Sequence, residues 1–326
     1  MMTEENFFVT GALGCIGAWV VRNLVNEGVP VTVYDLGGSQ HRLRLIMSDD
    51  ELSRVEFFQG DVTNLNAIEH VLKGSDTTHI IHLAGLQVPF CKADPSLGAR
   101  VNVVGTVNLF EAAKRAGIKH MVYASSIAVY GQSEDYPEGA VSHDAALKPL
   151  NHYGVYKQAN EGTARIYWQD DGISSIGLRP YIVYGPGRDQ GMTSHPTKAM
   201  MSASFGKPYH IPYGGQAAYQ YADDTARIFI QVARASLAGA EVFNLKGSIV
   251  HMSEIVAAVE SVLPEMRGQI TFDDTQLALP KETDDAPLTA AIGAPPYTPL
   301  EQGVADTIST FKQGIANGLL TPENIN

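Results

Sequence analysis

The sequence predicts an α/β fold: a parallel β-sheet wound on both faces by helices, with a small C-terminal lobe. Three observations carry this. Short β-rich runs alternate with amphipathic helical stretches along the first half of the chain, the pattern of repeated βαβ units. Those runs are apolar throughout instead of alternating, as in sheets covered on both faces. A glycine triplet sits at the joint between the first strand and the first helix.

In chain order, "NFFVT" reads as a strand, "CIGAWVVRNLVNEG" as a helix and "VPVTVYD" as the second strand. Between the first two, Gly11, Gly14 and Gly17 have the spacing G-x-x-G-x-x-G. In that setting Gly11 permits a tight turn, Gly14 lets a bulky anion approach the backbone, and Gly17 lets helix and strand pack closely. The helix start at Cys15 and Ile16 offers unpaired N–H groups and a partial positive charge to a pyrophosphate. Asp35 ends the second strand, 18 residues after Gly17. A carboxylate there accepts from a ribose 2′-OH and repels a 2′-phosphate, which favours NAD over NADP. "VEFFQGD" is the third strand, and Asp61 and Val62 at its end are placed for an adenine.

The helix "LNAIEHVLKG" leads to the fourth strand, "THIIHLAG". His79 and His82 lie three apart on it, so they face opposite ways and cannot share a metal. The helix "ARVNVVGTVNLFEAAKRAG" leads to the fifth strand, "KHMVYASS", whose end carries Ser126. Next comes the helix "YGVYKQANEGTARIYWQDDG". Tyr153 and Lys157 are four apart on it, hence on one face. A free tyrosine has a pKa of about 10, too high for a base at neutral pH. An ammonium one turn away favours the phenolate, and so does an oxidised nicotinamide above it. Tyr156 is a competing phenol that faces elsewhere. Ser126 is placed to hydrogen-bond the reacting oxygen. Taken alone, Tyr-x-x-x-Lys is more often an accident on an amphipathic helix. Downstream of a nucleotide-binding unit and a strand-end serine, it reads as catalytic.

After "SSIGLRPY", the sixth strand, the rhythm breaks near Ile182. "VYGPGRDQGMTSHPTKAM" is a loop leading into a helix at Pro196. "DDTARIFIQVARASLAG" and "EVFNLKG" supply one more helix and one more strand, and "MSEIVAAVESVLPEM" and "PLEQGVADTISTFKQGIANG" are helical. The expected organisation is a dinucleotide-binding domain over 1–182 and 218–246, and a substrate lobe over 183–217 and 247–326.

Composition excludes several classes. The 326 residues carry 23 basic and 35 acidic side chains, a net charge of −12, which argues against nucleic acid as a partner. No apolar stretch reaches the roughly 20 residues that span a bilayer, so no membrane association is expected. The N-terminus "MMTEENFFVTG" has acids where a signal peptide needs lysines. Cys15 and Cys91 show neither metal spacing nor a disulfide framework, and no metal site is expected. These features point to a cytoplasmic protein.

The ordered motifs "TGALGCIG", "YDL", "GDV", "HLAG", "VNVVGTVNLFEAA", "ASSIAVYG", "YGVYK", "GLRPYIVYGPG" and "YADDTAR" resemble those of the extended short-chain dehydrogenase/reductase family, the NAD-dependent sugar epimerases and dehydratases. They run over roughly residues 7 to 230, and "TPLEQGV" is a weaker match near the C-terminus. The resemblance implies a Rossmann-type doubly wound sheet, NAD as cofactor and a carbohydrate-like substrate. It places Ser126, Tyr153 and Lys157 at the catalytic triad positions. It makes Asn102 a support of the site, Leu83, Ala84 and Gly85 the wall of the cofactor channel, and Pro180 the start of the segment beside the nicotinamide. It also implies a homodimer through a four-helix bundle of the two helices that flank the site, and Val103, Val107 and Phe110 give the first of them an apolar stripe. The same stripe would equally serve to cover the monomer's own sheet.

The departures bear on substrate. Family members that bind nucleotide sugars carry an arginine in a "GDGxQxRDF" stretch. Here that stretch reads "YGGQAAYQYADD", with Ala217 and Ala218 about where Arg-Asp would fall. The segment of a second diphosphate-binding arginine reads "LALPKETDDAPLTAAIG", where Lys281 is the available substitute. A diphosphate buried without cationic partners is costly, so a sugar or sugar acid without a nucleotide is expected. Gln87, Arg188 and His195 are the candidate substrate residues beside Ser126, and Arg188 suits a carboxylate. A UDP-sugar 4-epimerase is the alternative, and a non-catalytic NAD-sensing scaffold is the rival of another class. Ile127 stands next to Ser126 where a dehydratase needs an acid, which ranks dehydration last.

Overall fold

The computed structural model describes residues 5–325. The start of the chain, read above for a signal peptide, lies partly outside them. The chain runs β1 (Phe7–Thr10), α1 (Cys15–Asn26), β2 (Val31–Asp35), α2 (His41–Ile46), α3 (Asp49–Leu52), β3 (Glu56–Gln59), α4 (Leu65–Lys73) and β4 (His79–His82). It continues through α5 (Val88–Ala93), α6 (Pro95–Ala99), a π-helical turn (Arg100–Val104), α7 (Gly105–Ala116), β5 (His120–Ala124), α8 (His152–Asp171), β6 (Ser174–Arg179) and β7 (Ile182–Tyr184). Then follow α9 (His195–Ser204), β8 (Tyr209–Ile211), β9 (Gln216–Tyr221), α10 (Ala222–Ala235), β10 (Ala240–Asn244), β11 (Ser248–His251), α11 (Met252–Val262), β12 (Ile270–Phe272), α12 (Ala286–Ile292) and α13 (Leu300–Ala316).

Seven strands form one parallel sheet in the order β10-β6-β5-β4-β1-β2-β3. The order reverses between β1 and β4, and ligands bind at such a switch point, beyond the carboxyl ends of the strands. One face buries Trp19, Val20 and Leu24 of α1 against Phe229 and Ile230 of α10. The other buries Ile68 of α4 with Leu109 and Phe110 of α7 and Ala164 of α8. β3 departs from the expected two-sided burial. Its burial is slight and Phe57 is 37% exposed, because an edge strand has a neighbour on one side only.

Phe110 also differs from the stripe read for a dimer. It is fully buried and stacks on Tyr167 at 4.7 Å. The apolar side chains left exposed on the flanking helices are instead Val104, Val155, Ile166 and Trp168.

The C-terminal lobe has its own core, built from Met200, Met201, Ile255, Val259, Val304, Ile308 and Phe311. Its three-stranded sheet, β11-β9-β7, straddles the expected boundary at residues 217 and 218. Leu288 of α12, in the span assigned to the lobe, packs into the core around α1 and α10. Among the described residues no helix is long and apolar enough to cross a membrane, and no group of three or more His, Cys, Asp or Glu could hold a metal.

Candidate active site

A cavity of about 560 Å³ opens at the switch point. Its lining includes Gly11, Gly14, Cys15, Ile16, Gly17, Asp35, Asp61, Val62, Leu83, Ala84, Gly85, Ser126, Tyr153, Lys157 and Pro180, so one cavity gathers most of the residues singled out from sequence.

The glycines divide the labour. Gly11 has φ +71°, and a Cβ there would stand 2.5 Å from Ala84 N. At Gly17 it would stand 2.3 Å from Gly11 O. Both positions are glycine because backbones touch. Gly14 is different: a Cβ would meet only Gly11 O, at 3.1 Å, on the cavity side. α1 begins there with no side-chain cap and no acid in its first turn. Its first N–H groups and the helix dipole are therefore left for an anion.

Asp35 is half-buried, and its Oδ2 accepts from Leu13 N at 3.0 Å. Burial pushes its carboxyl upward, while the Leu13 and Leu36 N–H groups and Arg42 oppose that. Asp61 Oδ1 accepts from Thr63 N at 2.8 Å, which shapes the turn after β3. Asn102 does not line the cavity. It is fully buried in the π-helical turn, where Oδ1 accepts from Leu86 N at 3.0 Å and Nδ2 donates to Leu86 O at 3.1 Å. It supports the wall from behind, and a Cβ on Gly85 would strike it. These features fit a dinucleotide: a bare helix start over a glycine turn, and a strand-end carboxylate on the same cavity.

At the other end, Lys157 is 5% exposed and its Nζ donates to Ala124 O at 2.7 Å. Nζ lies 5.6 Å from the Tyr153 ring centre. Burial pushes the ammonium down to about 8, so at neutral pH it is still mainly charged. Burial raises the Tyr153 phenol, opposed by the Ser126 hydroxyl and the Arg188 guanidinium. Ser126 Oγ accepts from Ala128 N at 3.1 Å, which leaves its proton to donate into the cavity. Tyr156 points away, its hydroxyl donating to Pro95 O at 2.8 Å. His82 is buried as neutral imidazole between Thr10 and Thr106, its pKa pushed down to about 3 by burial.

The substrate candidates separate. Gln87 and Arg188 line the cavity, and each holds a buried polar atom without a partner, Oε1 and Nε respectively. Arg188 Nη2 donates to Thr193 Oγ1 at 3.1 Å. His195 is not among the lining residues. Its Nδ1 bonds the Tyr209 hydroxyl at 2.8 Å and its ring packs edge-on against Tyr213. Ala217 and Ala218 are buried in β9, paired with Val250 and Ile249, and are not in the lining either. Lys281 is exposed.

Sequence reading missed Arg42 and Asp189. Arg42 donates to both Asp189 oxygens and to Leu13 O at 2.7 Å, and His41 Nε2 reaches Asp189 at 2.7 Å. This clasp ties the glycine turn to the loop that carries Arg188. No spacing marks two residues 147 positions apart.

The fold and the cavity together define an α/β protein of the short-chain dehydrogenase type. Residues 7–245 match the NAD dependent epimerase/dehydratase family, and the chain belongs to it. It is 29% identical over 319 residues, 93% of this chain and 97% of the other, to a UDP-glucose 4-epimerase of Mycolicibacterium smegmatis. It is 36% identical to the bifunctional UDP-glucose and UDP-xylose 4-epimerase 3 of Arabidopsis thaliana, a match spanning 50% of this chain and 47% of that one. Among solved structures it is similar to MoeE5 in complex with UDP-glucose and NAD, with TM-score 0.79 and 27% identity, covering 95% of this chain and 99% of that one.

Proposed function

We propose that the protein is an NAD-dependent epimerase that oxidises a secondary alcohol of a sugar and reduces the resulting ketone on the other face. The observation that supports this most is the buried Lys157 ammonium beside Tyr153 and Ser126, in the same cavity as the bare start of α1. NAD, when bound, accepts and returns the hydride. Gly14 and the first N–H groups of α1 would hold its pyrophosphate and Asp35 a ribose hydroxyl. Tyr153 takes the hydroxyl proton, Ser126 donates to the reacting oxygen, and Lys157 supplies a positive charge that favours the phenolate as it forms. A scaffold that only senses NAD has no use for a costly buried lysine at that point.

For the substrate, a UDP-sugar has the broader support. The Mycolicibacterium smegmatis relative, matched over nearly its whole length, is a UDP-glucose 4-epimerase, and MoeE5 was seen with UDP-glucose and with UDP-glucuronic acid. This ranks above the non-nucleotide sugar expected from the missing arginines. One observation keeps that second reading: Arg42 is engaged by Asp189 and Lys157 by Ala124, which among the described residues leaves Arg188 as the guanidinium in the lining without a carboxylate partner. Arg188 suits a carboxylate in either case. The test is incubation of the NAD-loaded enzyme with UDP-glucose, UDP-glucuronic acid and free sugar acids, followed by NMR. An epimer of a UDP-sugar without net NADH supports the first reading. NADH from free sugar acids, with no binding of UDP, supports the second.

The exposed Val104, Val155, Ile166 and Trp168 support the homodimer proposal, to be checked as a dimeric mass by light scattering. Cytoplasmic placement rests on composition and cysteine usage.

A further inference from the structure

Beneath the cavity lies a polar cluster that the proton transfer at Tyr153 leaves unexplained. Glu161 is one turn past Lys157 on α8. Arg179, the last residue of β6, donates through Nε and Nη2 to the two Glu161 oxygens, each at 2.8 Å. The two side chains are 4% and 8% exposed. Ser125 Oγ donates to Glu161 Oε1 at 2.5 Å. Arg179 Nη1 also reaches the Tyr130 hydroxyl at 2.5 Å and His143 O at 2.6 Å. The end of β5 is therefore gripped residue by residue. Ala124 O receives Lys157, Ser125 is tied to Glu161, and Ser126 presents its hydroxyl to the cavity.

We propose that Glu161, held by Arg179, is a positioning residue for the reaction: its carboxylate keeps Lys157 charged and fixes the strand end that carries Ser126. The groups facing Lys157 are Cys91 from α5, His82 from the end of β4, and Tyr153 and Glu161 from its own helix, with Arg179 of β6 behind Glu161. Burial raises the Cys91 thiol and keeps His82 neutral, so neither carries charge at neutral pH. Glu161 is then the anion that offsets the desolvation of Lys157. The bidentate guanidinium of Arg179 gives this buried carboxylate its ion-pair partner. Glu161 acts on Lys157 as a favourable charge and Arg179 is not among the groups that perturb it, so the pair still favours the ammonium. The inference rests on the reading of Lys157 as the cation that Tyr153 needs.

The test is Glu161→Gln, with Glu161→Gln/Arg179→Met as the variant that leaves no stranded guanidinium. In ¹³C-lysine-labelled protein, the Cε signal lost in Lys157→Met reports the charge on Lys157. The expected result is a Lys157 titration lowered by about one pH unit in Glu161→Gln, and by less in the double variant. The alkaline limb of kcat should move down in step, and Glu161→Asp should return both towards wild type. An unmoved Lys157 titration in folded variants overturns the proposal, even if activity falls, because the pair is then only packing. Failure of both variants to fold overturns it in the same sense. A shifted titration with an unmoved kcat limb upholds the charge coupling but contradicts the role assigned to Lys157, which separates the two failures.

Discussion

The two ends of the cavity are built by different means. The end proposed for the cofactor is mainly backbone, with Asp35 as a charged side chain beside it: Gly11 and Gly17 let main chains touch, and Gly14 leaves a bare helix start. The end proposed for the substrate is side chain: Gln87, Arg188 and Thr193 come from two loops and meet only in the folded chain. Backbone recognition constrains residue type at fixed short spacing, because only glycine satisfies it. Side-chain recognition constrains position in space and leaves sequence spacing free. The first end should therefore fail by losing fold or cofactor, and the second by losing substrate alone.

The largest effect expected is at the junction of the two ends. Tyr153→Phe should lose roughly 10²- to 10⁴-fold in kcat, the usual loss of a general base. NAD affinity by calorimetry and the melting temperature should stay near wild type. Retained turnover would remove Tyr153 as the proton acceptor.

Gly17→Ala drives a Cβ to 2.3 Å from a backbone oxygen and should cost about 3 kcal/mol or more, read by denaturant unfolding. Gly14→Ala meets only one oxygen, at 3.1 Å, so it should fold and lose NAD affinity. Equal stability in both variants would break the division drawn between them.

Lys157→Met should separate activity from stability. The folded-state pKa is lowered from 10.5 to about 8. Holding the charged lysine therefore costs stability below pH 10.5, and the cost is full below about pH 8. That cost is on the order of 3 kcal/mol before the lost Ala124 hydrogen bond is deducted. The inactive variant should melt higher than wild type at pH 7, with the gap closing towards pH 10 in a thermal scan.

The smallest effect is expected at the substrate end. Arg188→Ala should raise KM roughly 10- to 100-fold, the scale of one charge-assisted contact, with NAD affinity unchanged. A matching loss of NAD affinity would show that the two ends are not separable, with the Asp189–Arg42 clasp as the connection.

This contrast also explains what was legible in the sequence. The seven-stranded parallel sheet was readable because each strand is a local apolar run, and Tyr153, Lys157 and Ser126 because their spacing on a helix and a strand end is local too. β7, β8, β9, β11 and β12 went unread. They have three to six residues each and take their shape from neighbours far along the chain, as Ala217 and Ala218 do under β11. Arg42 and Asp189 escaped for the same reason, as did Glu161 with Arg179, whose pairing exists only once α8 lies on β6. His195 was singled out for its place at a helix start in a polar loop, and the fold turned it towards Tyr209.

Hydride transfer at a single carbon differs from proton abstraction in the fate of the hydrogen on that carbon, which an isotope reports. UDP-glucose carrying deuterium at C4 would be incubated with the NAD-loaded enzyme in ordinary water and the products read by NMR. The UDP-galactose formed should keep its deuterium at C4, because the hydride leaves and returns without meeting solvent. Epimer with solvent hydrogen at C4 would show proton abstraction from carbon and would contradict hydride transfer.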